Sequence, residues 1–311
     1  MMSERSFSLS IVIPTKDRLQ ILSELLASIE KLAGLDRIRP EIIVADNGSR
    51  DGTFEHVEAV AKKYPVPLRV IKVPRGGKSA AANEAAQAAS GEALAFLDDD
   101  VVVEQSWLKA IEEYLRDAGH RIGQGAIRLR PPESDDPEIQ KLVERYRTIP
   151  CLEHKPEVAG LRSLNGANFF LRRELFEQVG GFDERLGPGA SGTSEDVDLA
   201  RRLLRSGAAI GYAPDAIAYH RVERSRLTEE YFKASHLRQG RSRFLIRQRG
   251  LVEILFNLSR AWAQYAFFSL FGNERKRYRS KGRIFHYLGM LEAKHDHRRA
   301  PVQERVPSIP T

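Results

Sequence analysis

The sequence predicts an α/β fold: a Rossmann-like, mostly parallel sheet with helices on both faces, continued by a helical, basic C-terminal region. Short β-rich apolar runs alternate with helical stretches through the first 116 residues, the order that builds a parallel sheet covered on both faces. Loops rich in Asp, Asn and Gly follow several of these runs, at the carboxyl ends of strands, where such sheets hold their ligands. The charge is also divided: residues 1–220 carry 29 Lys+Arg against 34 Asp+Glu, whereas residues 221–311 carry 20 against 8. An acidic, site-bearing body of residues 1–220 and a basic extension of residues 221–311 are therefore expected, the extension suited to an anionic surface.

The elements follow in order. SLSIVIP is the first strand, and a helix runs from about Leu19 to Leu32. EIIVA is the second strand, followed by a helix from Thr53 to Lys63 and the strand LRVIKV. The alanine-rich SAAANEAAQAA reads as a helix, ALAFL as the fourth strand and Gln105 to Arg116 as a helix. From Gly119 to Gly160 the pattern is looser and broken by the polar PPESDDPE, so no element is assigned there. SLNGANFFLRRELFEQVGGFDERLG suggests a short strand and a helix, and the loop PGASGT leads into the helix EDVDLARRLLRSG. AAIGYAP and DAIAYH read as two short strands, and residues 221 onward as helical.

With 42% hydrophobic and 29% charged residues, the 311-residue chain is an ordinary globular protein with room for a sizeable core. Cys151 is its only cysteine, which excludes an internal disulfide and a Cys-rich metal site and fits a reducing compartment. MMSERSFSLSIVIP lacks the layout of a signal peptide, so an unprocessed cytoplasmic N-terminus is expected.

PRGGKSAAAN ends like a phosphate-wrapping P-loop, but the position that needs the wrapping glycine is Lys72, inside a strand. ALAFLDDD also follows too closely to be the magnesium strand of such an enzyme. GGKS is better described as a glycine-flexed turn feeding a helix. Asp98, Asp99 and Asp100 repel one another at the end of a buried strand, and capping of a later helix explains at most one of them. A divalent cation, Mg2+ or Mn2+, resolves the repulsion, since hard oxygen ligands together with substrate phosphates suit these ions.

Taken in order, SIVIPTKDR, EIIVADNGSRDGT, GGKSAAANEAAQAASGEALAFLDDD, GANFFLRRELFEQVGGFDE, EDVDLARRLLRSG and YAPDAIAYH resemble the family-2 glycosyltransferases of the GT-A fold, from residue 8 to about 220. The resemblance implies a GT-A catalytic domain over 1–220 that binds a nucleotide-diphosphate sugar, UDP-, dTDP- or GDP-linked. It also implies inverting transfer of the sugar to a hydroxyl of a glycan or lipid-linked acceptor. Pro14 and Thr15 would lie against the base, and Asp46 would accept a hydrogen bond from base or ribose, although an Asx-turn in DNGS accounts for Asp46 as well. Arg18, Lys78 and Asn83 fall where donor-contacting residues cluster, with Arg18 equally placed as a solvated residue of a first helical turn.

The D-x-D of the family maps to Asp98, meeting ribose or metal, and Asp100, binding metal, with Asp99 at the variable middle position. His220 matches the histidine that completes the metal site in many GT-A enzymes, and a structural histidine is the alternative. Glu195 and Asp196 open a helix, where the dipole favours carboxylates, but with Asp198 they exceed what capping requires. The resemblance makes Asp196, beside Glu195, the general base. QGRSRF, Gln239 to Phe244, has Phe where processive synthases carry Trp in their QxxRW motif, which points to addition of a single sugar.

In LVEILFNLSRAWAQYAFFSLFG, residues 251–272, the polar Glu253, Asn257, Arg260 and Gln264 form one helical stripe. Charges at bilayer depth are costly. A helix lying in the membrane interface is expected instead, so residues 241–283 would meet an anionic membrane at the inner face of the cell membrane. A helix packed on the body or on a second subunit of a homo-oligomer is the alternative. No nucleic acid partner is expected. Two other functions compete: a nucleotidyltransferase acting on sugar phosphates, for which PTKDR is a short and weakly basic loop, and a non-catalytic nucleotide-sugar-binding homologue. The sugar and acceptor depend on loops around Arg130 to Gly160 and on PGASGT.

Overall fold

In the computed structural model, which describes residues 7–74, 76–117, 119–154 and 160–299, the first apolar run becomes β1 (Leu9–Thr15), buried along its whole length. Residues 1–6 of the N-terminus, Arg75 of the PRGGKS turn, 155–159 of the stretch after Arg130 and 300–311 of the basic extension lie outside the described residues. The chain continues through α1 (Leu19–Ile29), α2 (Leu35–Ile38), β2 (Glu41–Asp46), α3 (Thr53–Ala61), β3 (Leu68–Lys72), α4 (Gly77–Ala88), β4 (Ala93–Leu97), β5 (Val101–Val103) and α5 (Trp107–Arg116). Then come β6 (Ile122–Leu129), α6 (Pro137–Tyr146), β7 (Asn168–Arg172), α7 (Arg173–Gln178), α8 (Glu195–Arg205) and β8 (Gly211–His220). Three long helices follow: α9 (Glu229–Ile246), α10 (Leu251–Leu270) and α11 (Glu274–Arg299).

Among the described residues eight strands form one sheet in the order β3-β2-β1-β4-β7-β6-β8-β5. β3, β2, β1 and β4 run parallel, and β7 reverses the direction beside β4. Side chains alternate between the faces with period two, which divides the core. Leu9, Ile11, Ile42, Val44, Ala93 and Ala95 face one side with Leu22, Leu25 and Trp107, while Val12, Ile43, Leu94 and Phe96 face the other with Ala81, Ala85 and Leu199. Small side chains let α4 lie close against the sheet: Ser79, Ala80, Ala81, Ala82, Ala85 and Ala86 are all buried.

Three departures from the sequence pattern have physical causes. The loose stretch after Gly119 contains β6 and α6. Its glycines sit inside a strand because Cβ atoms there would collide with Phe170 at Gly123 and with Asn168 at Gly125. AAIGYAP and DAIAYH are not two strands but parts of one, β8, which pairs with β6 on both sides of a register shift between Gly125 and Ala126. Pro214, which lacks a backbone N–H, lies in the shifted stretch. VVV after the aspartates, to which the sequence pattern assigns no element, is a short strand and pairs antiparallel with β8.

The chain divides into two compact units: Met1–Arg130 with Pro150–Arg185 and Glu195–Arg221, and Pro131–Ile149 with Leu186–Ser194 and Val222–Thr311. The first holds the sheet. Among the described residues, the second is built on α6, α9, α10 and α11, with Phe244, Ile254 and Met290 in its core. α9 and α11 meet closely at Gly240, Gly282 and Gly289, where a Cβ would strike the facing helix. None of the described helices is long and apolar enough to cross a membrane.

Candidate active site

Because β2, β1 and β4 are neighbouring parallel strands, their carboxyl ends lie side by side and bring together Asp46, Thr15 and the aspartates after Leu97. Two further strands complete the site, β7 antiparallel to β4 and β8 antiparallel to β5. β7 pairs Asn168 with Leu97, so the chain entering it, Asn165 to Ala167, arrives beside Asp98. β8 pairs His220 with Val101, which sets His220 beside Asp100, and the Arg221 N–H donates to the Asp100 carbonyl at 3.0 Å.

Lys78, in the first turn of α4, ion-pairs with Asp98 and lies 3.5 Å from Glu195. Asp196 accepts the Gly166 N–H at 3.0 Å and the Val197 N–H at 2.7 Å. Asp99 accepts the Thr15 hydroxyl at 2.7 Å, and Asp100 stands 3.3 Å from both Arg18 Nη1 and His220 Nε2. Pro14 lines a small cavity with Lys78, Asp98, Gly166 and Glu195. Thr15, Asp99, Asp100, Glu195 and His220 are buried.

These carboxylates are perturbed. Burial, reinforced by Glu195 and opposed by Lys78, pushes Asp196 up to about 7. Burial also lifts Asp99 to about 7 against the pull of Arg18. Burial works against the Lys78 ammonium, yet Asp98 and Glu195 outweigh it and hold its pKa above the ordinary value. A half-buried carboxyl held near neutrality in a polar cleft is a fit base for a neutral hydroxyl.

Two expected donor contacts are used within the fold. Asp46 accepts the Ser49 N–H at 3.1 Å and the Ser49 hydroxyl, the Asx-turn arrangement. Asn83 exchanges hydrogen bonds with the Phe182 backbone, accepting its N–H at 2.8 Å and donating to its carbonyl at 2.9 Å. Motif reading passed over the Gly166 N–H that orients Asp196 and the network beneath it. Gln124 accepts the Asn165 N–H at 2.7 Å and donates to the Asn168 carbonyl at 2.7 Å, while Asn168 accepts the Trp107 indole N–H at 2.9 Å. The only trace in the sequence is a glycine that follows an asparagine ahead of a strand; the network joins residues 61 positions apart.

The donor set suits a hard divalent cation. His220 Nδ1 lies 2.7 Å from the Arg221 carbonyl, which can only accept, so Nδ1 donates there and Nε2 is the ring nitrogen that faces Asp100. Asp98 is tied to Lys78. Among the described residues no three His, Cys, Asp or Glu side chains converge as a ready coordination set. Asp98, Asp100 and His220 do not form such a set as they stand.

Comparison with known proteins gives this geometry a family. Residues 10–180 match Glycosyl transferase family 2. The chain is 26% identical over 211 residues to "Glycosyltransferase AglE" of Haloferax volcanii, covering 68% of this chain and 66% of that protein. It is 27% identical over 241 residues to "Succinoglycan biosynthesis protein ExoM" of Rhizobium meliloti, covering 78% and 74%. The mannosyltransferase PcManGT from Pyrobaculum calidifontis, solved with GDP-Man and Mn2+, has a similar fold, with a TM-score of 0.62 at 20% identity over 93% of this chain and 87% of that one. The architecture is GT-A. Since the matched residues make up more than half of the sequence and carry β1 to β4, the aspartates and β7, the chain belongs to glycosyl transferase family 2.

Proposed function

We propose that the protein moves a sugar from a nucleotide-diphosphate donor, UDP-, dTDP- or GDP-linked, to a hydroxyl of a glycan or lipid-linked acceptor with inversion at the anomeric carbon. Its role would be cell-surface glycan synthesis at the cytoplasmic face of the cell membrane. The observation that carries this is Asp196: a half-buried carboxylate whose pKa is raised to about 7, aimed by the Gly166 N–H beside the Lys78–Asp98 pair.

Asp196 takes the acceptor hydroxyl proton as that oxygen bonds to the anomeric carbon. The bond from that carbon to the diphosphate oxygen breaks, and its electron pair leaves with the diphosphate. Attack from the face opposite the leaving group inverts the centre. Arg18 and Lys78 supply positive charge where the diphosphate departs. Held by Asp98, Asp100 and His220, Mg2+ or Mn2+ would act as a Lewis acid toward that charge. The Mn2+ and GDP-Man named for the Pyrobaculum enzyme support the metal and the donor class.

A thermal-shift screen of UDP-, dTDP- and GDP-sugars, with and without Mn2+, tests the proposal. At least one donor should raise the melting temperature only when metal is present; no such donor would overturn it. Retention of anomeric configuration in the product, read by proton NMR, would remove the single-displacement step.

A further inference from the structure

α10 packs the wrong way round for a helix that ends its contacts at the protein surface. Ile254 and Ala261 are buried, and two residues of the polar stripe bond within the unit: Glu253 pairs with Arg249 at 2.8 Å, and Gln264 accepts from Arg283 of α11 at 3.0 Å. The apolar side chains are left outside. Val252 is 82% exposed, Phe256 60%, Phe267 53% and Leu270 83%, and their spacing puts them on one face. Leu255 and Trp262 widen that face. Every large apolar side chain that is exposed among the described residues lies between Leu251 and Phe271. A monomer in water rarely presents so concentrated a patch without a partner.

Charge selects the partner. Arg247, 65% exposed, precedes the helix, and Arg275, 70% exposed, follows it with Lys276 and Arg279 also exposed. Arg260 sits at the edge of the face with its guanidinium over Phe256. Two copies joined face to face would set basic ends against basic ends in either direction. An anionic bilayer matches both features, since its acyl boundary takes the apolar face and its phosphates take the flanking cations.

We propose that the solvent-facing side of α10, centred on Val252, Phe256, Phe267 and Leu270, is a docking surface for an anionic lipid bilayer, with the helix lying along the interface over about 30 Å of its length. This surface is distinct from the transfer chemistry. Lipid binding is read without any sugar donor, so either proposal can fail alone.

The test is flotation of the full chain with vesicles of phosphatidylcholine plus phosphatidylglycerol and with phosphatidylcholine alone. Wild type should float with the anionic vesicles and largely remain behind with the neutral ones. Phe256→Ser, Phe267→Ser and Leu270→Ser together should weaken flotation at least about tenfold, and Arg275→Glu with Lys276→Glu should weaken it on anionic vesicles. The three serines replace exposed side chains, so folding should survive, as circular dichroism would show. On wild type, anionic vesicles should blue-shift the emission of exposed Trp262, and bromine-labelled acyl chains should quench it, while Trp107 is fully buried. Failure of wild type to bind, unchanged binding by the triple variant, or self-association abolished by that variant without vesicle binding would each overturn the proposal.

Discussion

Asp196 concentrates the chemistry in one ionisable group, and its burial sets the pH at which that chemistry runs. Its carboxyl is raised to about 7, so below that pH it is protonated and cannot accept the acceptor proton. kcat/KM should therefore rise about tenfold per pH unit up to neutrality and level off above it. Asp196→Asn should abolish this limb and lower kcat by about 10²–10⁴, while calorimetry shows donor affinity nearly unchanged. Loss of donor binding would move Asp196 from base to binding residue. The aspartates were legible in the sequence because three adjacent carboxylates need an explanation wherever they fold. The role of Asp99 was not: it stands at the variable middle position of the motif, but the fold gives it the Thr15 hydroxyl and a pKa raised to about 7.

β7 shows how one strand determines the site. Asn168, its first residue, donates to the Ala126 and Ala216 carbonyls at 2.9 and 2.7 Å and holds the loop that ends at Gly166. Asn168→Ala would remove the amide's bonds to both carbonyls and to the Trp107 N–H in the interior, where each lost partner costs about 1–3 kcal/mol. Urea denaturation should show a loss of about 3 kcal/mol or more; a loss under about 1 kcal/mol would mean that water replaces the amide. Gly166→Ala is milder for stability and harsher for activity. Its Cβ would stand 3.2 Å from Lys78 Nζ, so the fold should persist while kcat/KM falls about tenfold or more. The first strands and helices were legible from alternation alone. β6 was hidden because Gly123 and Gly125 break its pattern, and their reason for being there is the volume of Phe170 and Asn168.

The site of the first unit draws on residues from Pro14 to His220 that only the completed sheet brings together, so donor binding and folding are linked. With Mn2+ present, a nucleotide-diphosphate sugar at about 100 times its Kd should add about 2.7 kcal/mol of stability, or about 5–10 °C in Tm by calorimetry. Chelation by EDTA should remove most of the shift; a shift indifferent to EDTA would separate donor binding from metal.

The sequence by itself determined the α/β class, the family, the acidic motif and the division of charge. These depend on local periodicity and on which side chains stand next to one another in the chain. Tertiary structure decided the partners: that Asp98 faces Lys78 while Asp100 faces His220, that Gly166 aims Asp196, that Asn83 anchors Phe182, and that α10 turns its apolar face to solvent. The reason is common to all four. Strand order and helix packing set which surfaces meet, and a helical or strand period records that a face is apolar without recording what covers it.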